Sequence, residues 1–337
     1  MGGLGKTTLA KLAYNDTDQF DLKAWVHVSH DFDLVRVTKC IIEAITNAKY
    51  KLGSLDPMQC RLHELVKEKK LLLVLDDAWV IMGNISIRIQ EKIVTKRPTE
   101  ETRHVSLFCK VVNQILLKEL GKSKSLHTLS IVDASFDEVL KQIGHSFERM
   151  RVLDLNGFSI QEIPESIGNL KHLRHLDLQH SRIESLPYSI CSLHNLQTLN
   201  LNDCNNLLEL PCGIGSLINL RYLLLKTTRL QVLPDSLCKL EKLQEIDLLW
   251  CDKFVVLPTN IGNLNNLRYL MLSRTRIEML PASLCKLEKL QEIDLSFCMG
   301  LRVLPTHIGD LNNLHSLNIE GTSVEKLPDS ICRLYNL

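Results

Sequence analysis

Two short motifs near the start of the sequence carry residue types that could handle a phosphate and a metal ion. The first, GGLGKTT, supplies Gly2, Gly3, Gly5, Lys6, Thr7 and Thr8. Glycines let backbone N–H groups approach phosphate oxygens, a lysine meets the β and γ charges, and the Thr7 hydroxyl can bind Mg²⁺. The stretch predicts a Walker A loop, although the first glycine of the full G-x-x-x-x-G-K-[ST] pattern would fall before residue 1.

The second motif is the apolar run KKLLLVLDDAW at residues 69–79, which ends in two acids. Such a run is typical of a buried parallel strand that brings carboxylates to a metal–phosphate site at its C-terminal end. Asp76 would then hold Mg²⁺ through water, and Asp77 could orient an attacking water. Alternatively, the acids cap the strand end or start a turn. The Walker A stretch upstream favours the metal–phosphate interpretation.

Strands and helices must position these motifs. The segment between them predicts a strand over 22–28, a helix over LVRVTKCIIEAIT, and a second helix that starts at Asp56-Pro57. The first helix should place one apolar face toward the sheet, formed by Val37, Ile41, Ala44 and Ile45. A parallel P-loop sheet needs its central strand, and here only the strands near 22–28 and 70–75 are found. We therefore expect the nucleotide-binding part to be incomplete, with weak or lost binding of nucleotide.

The second half of the sequence is repetitive. Residues 148–334 divide into eight units of 23 or 24 residues. Each unit follows L-x-x-L-x-L and then L-P-x-x-[IL]-x-x-L, and in one unit Ile-Pro replaces the Leu-Pro pair. This is the leucine-rich repeat pattern, in which a short strand turns its leucines inward and stacked neighbours bury them. Two irregular strands, at 103–108 and 126–132, should precede the regular array. Residues 236–248 recur as 283–295, so the array contains a duplication with a 47-residue step.

These patterns predict an α/β architecture with two parts. Residues 1–80 form an incomplete P-loop NTPase-type fragment, residues 81–102 a linker, and residues 103–337 a leucine-rich repeat solenoid. The sequence stops three residues into a ninth unit, without a polar cap, which we interpret as a sign of truncation.

Composition excludes several partners. Lys plus Arg total 40 against 39 acidic residues and aromatic residues are 5%, so nucleic acid is not an expected partner. No signal peptide or long apolar segment is found, which predicts a cytoplasmic protein with no membrane anchor. Seven of the 11 cysteines occupy repeat positions. We expect them to be buried structural thiols, because cysteines two repeats apart lie beyond disulfide reach.

The quoted motifs, followed by TRHVSL and the repeats, resemble those of plant nucleotide-binding leucine-rich repeat (NB-ARC/LRR) disease-resistance proteins. Trp79 after the acidic motif is similar to the coiled-coil class. The resemblance implies an intracellular immune receptor that switches between ADP and ATP, bound with Mg²⁺, and that recognises a pathogen effector or a guarded host protein. The family's arginine sensor strand, its G-L-P-L segment and its M-H-D motif are not found in this sequence.

Three functions follow from this resemblance and its gaps. The chain could be a shortened form of such a receptor, a leucine-rich repeat scaffold or decoy that binds a protein without nucleotide switching, or a working ATPase. The receptor is favoured. The incomplete P-loop part argues against the ATPase, so we expect no enzymatic activity.

Outward strand positions indicate where a protein partner would bind. Early repeats present polar residues such as Asp154, Asp177 and Asn200, which we expect to be solvated. Later repeats differ and carry an aromatic and apolar strip, which we call the concave strip, made of Tyr222, Leu224, Leu249, Trp250, Tyr269, Met271 and Phe297. Acids flank it at Glu245, Asp247, Glu292 and Asp294. A strip of this kind is typical of a protein interface. Alternatively, it contacts family domains that are missing here or reflects the duplication alone.

Overall fold

The computed structural model describes residues 21–27, 34–50, 55–67, 71–76, 104–108, 126–132, 143–157 and 160–336. The chain divides into two compact units, Met1–Ile87 and Arg88–Leu337.

The first unit contains two strands and two helices among its described residues. These are β1 (Leu22–His27), α1 (Leu34–Thr46), α2 (Leu55–Val66) and β2 (Leu71–Asp76). The strands pair in parallel, with Leu22 opposite Leu71 and His27 opposite Asp76. A parallel pair requires a crossover connection, and the two helices supply it. The strand and helix predictions between the motifs are confirmed, within one or two residues at each end.

The buried face of α1 differs from the predicted one. Ile41 is buried as expected, but Ala44 and Ile45 are half-buried, while Thr38 and Ile42 are buried. The helix packs against both β1 and α2, so its covered stripe is wider and rotated compared with that of a helix lying on a sheet alone. Helix α2 starts at Leu55, which puts Pro57 inside the first turn, where its missing N–H is not needed.

The second unit is a solenoid built on one parallel sheet. Its ten strands pair in chain order from one edge to the other. They are β3 (His104–Phe108), β4 (Thr128–Val132), β5 (Val152–Asp154), β6 (His175–Asp177), β7 (Thr198–Asn200), β8 (Tyr222–Leu224), β9 (Glu245–Asp247), β10 (Tyr269–Met271), β11 (Glu292–Asp294) and β12 (Ser316–Asn318). Both irregular strands and all eight repeat strands are therefore confirmed.

Each repeat returns through a short 3-10 helix that a proline introduces. The Pro164 carbonyl accepts the Ile167 N–H at 3.0 Å, and the Pro187 carbonyl accepts the Ile190 N–H at 3.1 Å. The same bond recurs at every later repeat proline up to Pro328. These prolines lie away from the sheet, where no strand partner needs their missing N–H. The 3-10 helices are Glu165–Asn169, Tyr188–Ser192, Ile214–Ser216, Asp235–Lys239, Ile261–Asn263, Ala282–Lys286, Ile308–Asp310 and Asp329–Arg333.

Leucines of the template fill the space between the sheet and the 3-10 helices. Leu199 and Leu201 are both 0% exposed, which confirms the predicted register. The last strand is less covered, because Leu317 and Ile319 are only partly buried.

Five of the seven repeat-position cysteines are buried, as predicted. The exceptions are Cys285, which is half-buried, and Cys332, which is exposed. Cys332 lies in the last described repeat, where no further described repeat covers it. The nine cysteines in the described part of the chain are free thiols. Burial raises the pKa of the Cys204 thiol to about 12, and this thiol donates a hydrogen bond of 3.2 Å to the Leu178 carbonyl.

Candidate functional site: the concave face of the repeat sheet

The two phosphate-binding motifs are described only in part. Asp76 is the last residue of β2, so it lies at the C-terminal edge of the parallel pair, where such sheets place ligand-binding residues. The Walker A residues Gly2, Gly3, Gly5, Lys6, Thr7 and Thr8, together with Asp77, lie outside the described residues. The position of Asp76 fits a metal–phosphate site, and the roles of all these residues remain predictions.

The concave face of the solenoid is described in full from β5 to β12. Strand pairing places residues of successive repeats side by side, which forms columns across the sheet. The first strand position gives the column Tyr222, Glu245, Tyr269 and Glu292. The third strand position gives the column Leu224, Asp247, Met271 and Asp294. Apolar or aromatic residues and carboxylates therefore alternate along both columns, as a result of the duplication.

The structure places the whole predicted concave strip at the surface or near it. Tyr222 is 37% exposed and Trp250 is 52% exposed. The other members, Leu224, Leu249, Tyr269, Met271 and Phe297, are half-buried. Half-burial on an outward face means that these side chains lean on their neighbours in adjacent strands.

A column of left-handed residues follows the strands and was not predicted. One residue per repeat has φ between 58° and 82°, three residues after the strand ends. Glycine occupies the first and last of these positions. The set is Gly157, His180, Asp203, Thr227, Trp250, Arg274, Phe297 and Gly321. The backbone N–H of each non-glycine member donates to a carbonyl of the next repeat, which holds this conformation in place. Positive φ is usually found at glycine and, among other residues, at asparagine, aspartate and histidine, so four of these eight positions gave no signal.

Three members of this column form a cation–π stack. The Arg274 guanidinium carbon lies 4.1 Å from the centroid of the Trp250 ring and 4.5 Å from the centroid of the Phe297 ring. Both distances are within the range at which a guanidinium is attracted to an aromatic face. Phe297 also leans over Gly321, because a Cβ at residue 321 would meet its ring at 2.7 Å. Trp250 and Phe297 thus form a stacked wall along the concave strip, and the ring faces toward Arg274 are occupied.

The surroundings of the carboxylates beside the concave strip disfavour the charged form of Glu245 and Asp247. Burial raises the pKa of Glu245, and the nearby charges of Asp247 and Glu292 raise it further. Burial also raises the pKa of Asp247, while the backbone N–H of Leu249 and the charge of Lys226 act in the opposite direction. Ionised carboxylates are therefore held close together on a partly desolvated surface.

The early repeats differ from the expectation of solvated polar side chains. Asp177 is 4% exposed and Asn200 is 7% exposed. The Asp177 carboxylate accepts hydrogen bonds from the Gln179 backbone at 3.0 Å and from the Asn200 amide at 2.8 Å. Neighbouring strands bring these polar side chains together, and they bury one another by forming a hydrogen-bonded ladder. The prediction that Asp177 and Asn200 are solvated was wrong, whereas Asp154 is half-buried.

Comparisons with known proteins match both parts of the chain. The sequence model of the NB-ARC domain, a nucleotide-binding switch domain, matches residues 1–126, and that of a leucine-rich repeat region matches residues 145–256. The chain is 50% identical over 84 residues to disease resistance protein RGA2 of Solanum bulbocastanum. That alignment covers 23% of this chain and 9% of the relative, so the chain spans only a small part of it.

Solved structures share the solenoid fold. The Leptospira interrogans leucine-rich repeat protein LIC12759 has a TM-score of 0.51 and 29% identity, covering 65% of this chain and 61% of that chain. The Arabidopsis receptor kinase HAESA, solved with the peptide hormone IDA and the co-receptor SERK1, has a TM-score of 0.50 and 21% identity, covering 67% and 47%. None of the described helices is long and apolar enough to cross a membrane. With its NB-ARC match, its repeat region and its resistance-protein relatives, the chain is similar to the plant NB-ARC/leucine-rich repeat disease-resistance proteins.

Proposed function

We propose that this chain acts in plant disease resistance as an intracellular immune receptor, whose concave strip binds a protein. The partner would be a pathogen effector or a host protein that the receptor monitors. The observation that carries the proposal is the run of aromatic and apolar side chains from β8 to β11, with Trp250 52% exposed. Surface aromatic residues of this kind contribute disproportionately to protein binding. HAESA, of similar fold, was solved with a peptide hormone, which supports the use of such a fold for recognition.

In this proposal the P-loop part derives from a nucleotide switch for ADP or ATP with Mg²⁺, whose binding is weak or lost in this chain, and it is not an enzyme. A scaffold or decoy that binds the same partner without a nucleotide is the second candidate. The internal spacing favours the scaffold, because β3 starts at His104 soon after β2 ends at Asp76. Little sequence is left there for the family's sensor and M-H-D segments. A cytoplasmic location fits either role, since free buried thiols persist in a reducing compartment.

The test removes two aromatic side chains from the concave strip. Trp250→Ala combined with Tyr269→Ala should leave the fold intact, because both residues face outward. We expect the double variant to capture its partner from leaf extract at least about tenfold less well, as for loss of hot-spot residues. Mass spectrometry of the captured proteins identifies the partner, and expression of both proteins in leaf tissue then measures the defence response.

A matched variant controls for loss of exposed apolar area elsewhere. Tyr188 and Met279 are 64% and 73% exposed and lie outside the strip. Tyr188→Ala combined with Met279→Ala should capture the partner as the parent chain does. If the strip variant is folded and captures the same proteins in the same amounts, the binding surface lies elsewhere.

A further inference from the structure

Strands β9 and β11 carry the same three residues, Glu-Ile-Asp, with the isoleucine turned into the core. Strand β10 lies between them and carries Tyr269 and Met271 on the concave face. Four carboxylates therefore surround this pair of side chains. Carboxylates at equivalent positions of β9 and β11 are two strands apart, or about 9.6 Å at 4.8 Å per strand.

The four carboxylates have no ion-pair partner among the described residues, because no Lys, Arg or His nitrogen in that part of the chain lies within ion-pair distance of them. Asp247 and Asp294 accept backbone N–H groups from Leu249 and Ser296, at 2.9 Å each. The pKa of Glu245 is raised by burial and by the charges of Asp247 and Glu292, whereas the charge of Lys226 lowers the pKa of Asp247.

The chain's own arginine does not fill this gap. Arg274 follows β10, but its guanidinium is stacked between the rings of Trp250 and Phe297. That stack shows that the aromatic residues of this face accept a guanidinium. It also leaves the carboxylates on β9 and β11 as the sites open to further cations, with Tyr269 and Met271 available for aliphatic stems.

Charge selects among the candidate partners. A neutral apolar partner would cover four ionised carboxylates without pairing them, which is unfavourable. An acidic partner or a nucleic acid would be repelled. A basic segment would pair the carboxylates and lay the methylene stems of its Lys or Arg side chains on the apolar residues. In a segment with polyproline II conformation, side chains three residues apart lie on the same side and are separated by about 9.3 Å, which matches the carboxylate spacing.

We propose that the concave surface over β9 to β11 binds a basic segment of the partner protein in polyproline II conformation, with two Lys or Arg residues separated by two others. One cation would pair with Glu245 and Asp247, and the other with Glu292 and Asp294. The inference rests on the proposed function, since it names the chemistry of the segment that the concave strip binds.

A random decapeptide library displayed on phage, selected on the purified full chain at low salt, tests this inference. We expect the enriched peptides to carry Lys or Arg with the spacing given above. The most enriched peptide is then synthesised, and its affinity is measured by fluorescence anisotropy. Glu245→Gln combined with Glu292→Gln should weaken binding about tenfold or more. Raising NaCl from 50 mM to 500 mM should also weaken it.

The control changes the same charge elsewhere. Glu241 and Glu288 are exposed residues outside the concave face, so Glu241→Gln combined with Glu288→Gln should bind the peptide like the parent chain. Enriched peptides without basic residues, or equal binding by the Glu245/Glu292 variant, would overturn the inference. If such peptides still need Trp250 and Tyr269, the proposed surface stands and only its charge preference is wrong. A lack of enriched peptides, or binding insensitive to both variant pairs, counts against both proposals.

Discussion

Glu245 is a residue that the fold would tolerate better without its charge. Its carboxylate is half-buried, and the neighbouring charges of Asp247 and Glu292 raise its pKa in addition to the effect of burial. A group held in such surroundings lowers the stability of the folded state when it is ionised. The charge of Glu245 does not help folding, which supports the binding role proposed for this face.

A stability measurement tests this view of Glu245. A folded-state pKa above the unfolded value means that the ionised group destabilises the fold above the folded-state pKa. The effect disappears below the unfolded pKa, where both states are protonated. Glu245→Gln should raise the thermal midpoint by about 2 °C at pH 7.5, after allowance for solvent screening. The gain should shrink as pH falls toward 4. Glu241→Gln is the exposed control, and an unchanged or lower midpoint for Glu245→Gln at pH 7.5 would contradict the argument.

The left-handed column shows how single residues limit prediction from sequence. A non-glycine residue in this conformation costs roughly 1–2 kcal/mol, so glycine or asparagine is the usual marker. Thr227, Trp250, Arg274 and Phe297 carry no such marker. The cation–π stack depends on that backbone, because adjacent left-handed positions direct the three side chains along one line. The sequence pattern predicted Trp250 and Phe297 on the concave face but gave no indication of Arg274 between them.

At the scale of the repeat, each strand depends on its neighbours. Leu199, the middle residue of β7, is 0% exposed, and β7 pairs with β6 and β8. One repeat cannot bury its own leucines, so a fault in one repeat removes the covering of the next. Leu199→Asp would bury an unpaired charge, at a free-energy cost greater than the about 2–5 kcal/mol typical of Leu→Ala in a core.

We therefore expect Leu199→Asp to unfold several repeats together. Hydrogen exchange followed by mass spectrometry should show lost protection in β6, β7 and β8, accompanied by a large fall in the thermal midpoint. Ser185→Asp adds the same charge at an exposed position of the preceding repeat and should leave both measurements unchanged. A near-native midpoint for Leu199→Asp would mean that the repeat register is wrong.

The positions of elements that recur with a regular period could be predicted from the sequence, whereas contacts between neighbouring elements could not. The spacing of leucines located every repeat strand, since each template position has one physical role, whereas the 3-10 helices after the prolines were not predicted. The burial of Asp177 was missed because it depends on the Asn200 amide on the next strand. The buried face of α1 was rotated because α2 also covers it. In the nucleotide-binding part, the sequence placed Asp76 at a strand end. The order of the phosphate-binding motifs along the chain does not predict how they are arranged in space.

For the chain as a whole, the main question is whether it binds nucleotide. The sequence carries no counterpart of the family's arginine sensor strand, G-L-P-L segment or M-H-D motif. We expect the chain to bind ADP or ATP with Mg²⁺ weakly or not at all, which isothermal titration calorimetry on the purified protein measures. Lys6→Ala is the matched control. A micromolar dissociation constant that this substitution abolishes would show a working switch and would favour the receptor over the scaffold.

The identity of residues 236–248 and 283–295 has a genetic consequence. Near-identical segments one pair of repeats apart allow misaligned recombination in which the chain gains or loses 47 residues. The register of the core survives such an exchange, because equivalent residues meet at the junction. Each event would lengthen or shorten the concave face by two strands, about 9.6 Å, together with one tyrosine and one glutamate of the alternating column. A gain or loss of this unit would therefore change the length of the concave face in a fixed step while the leucine core keeps its register.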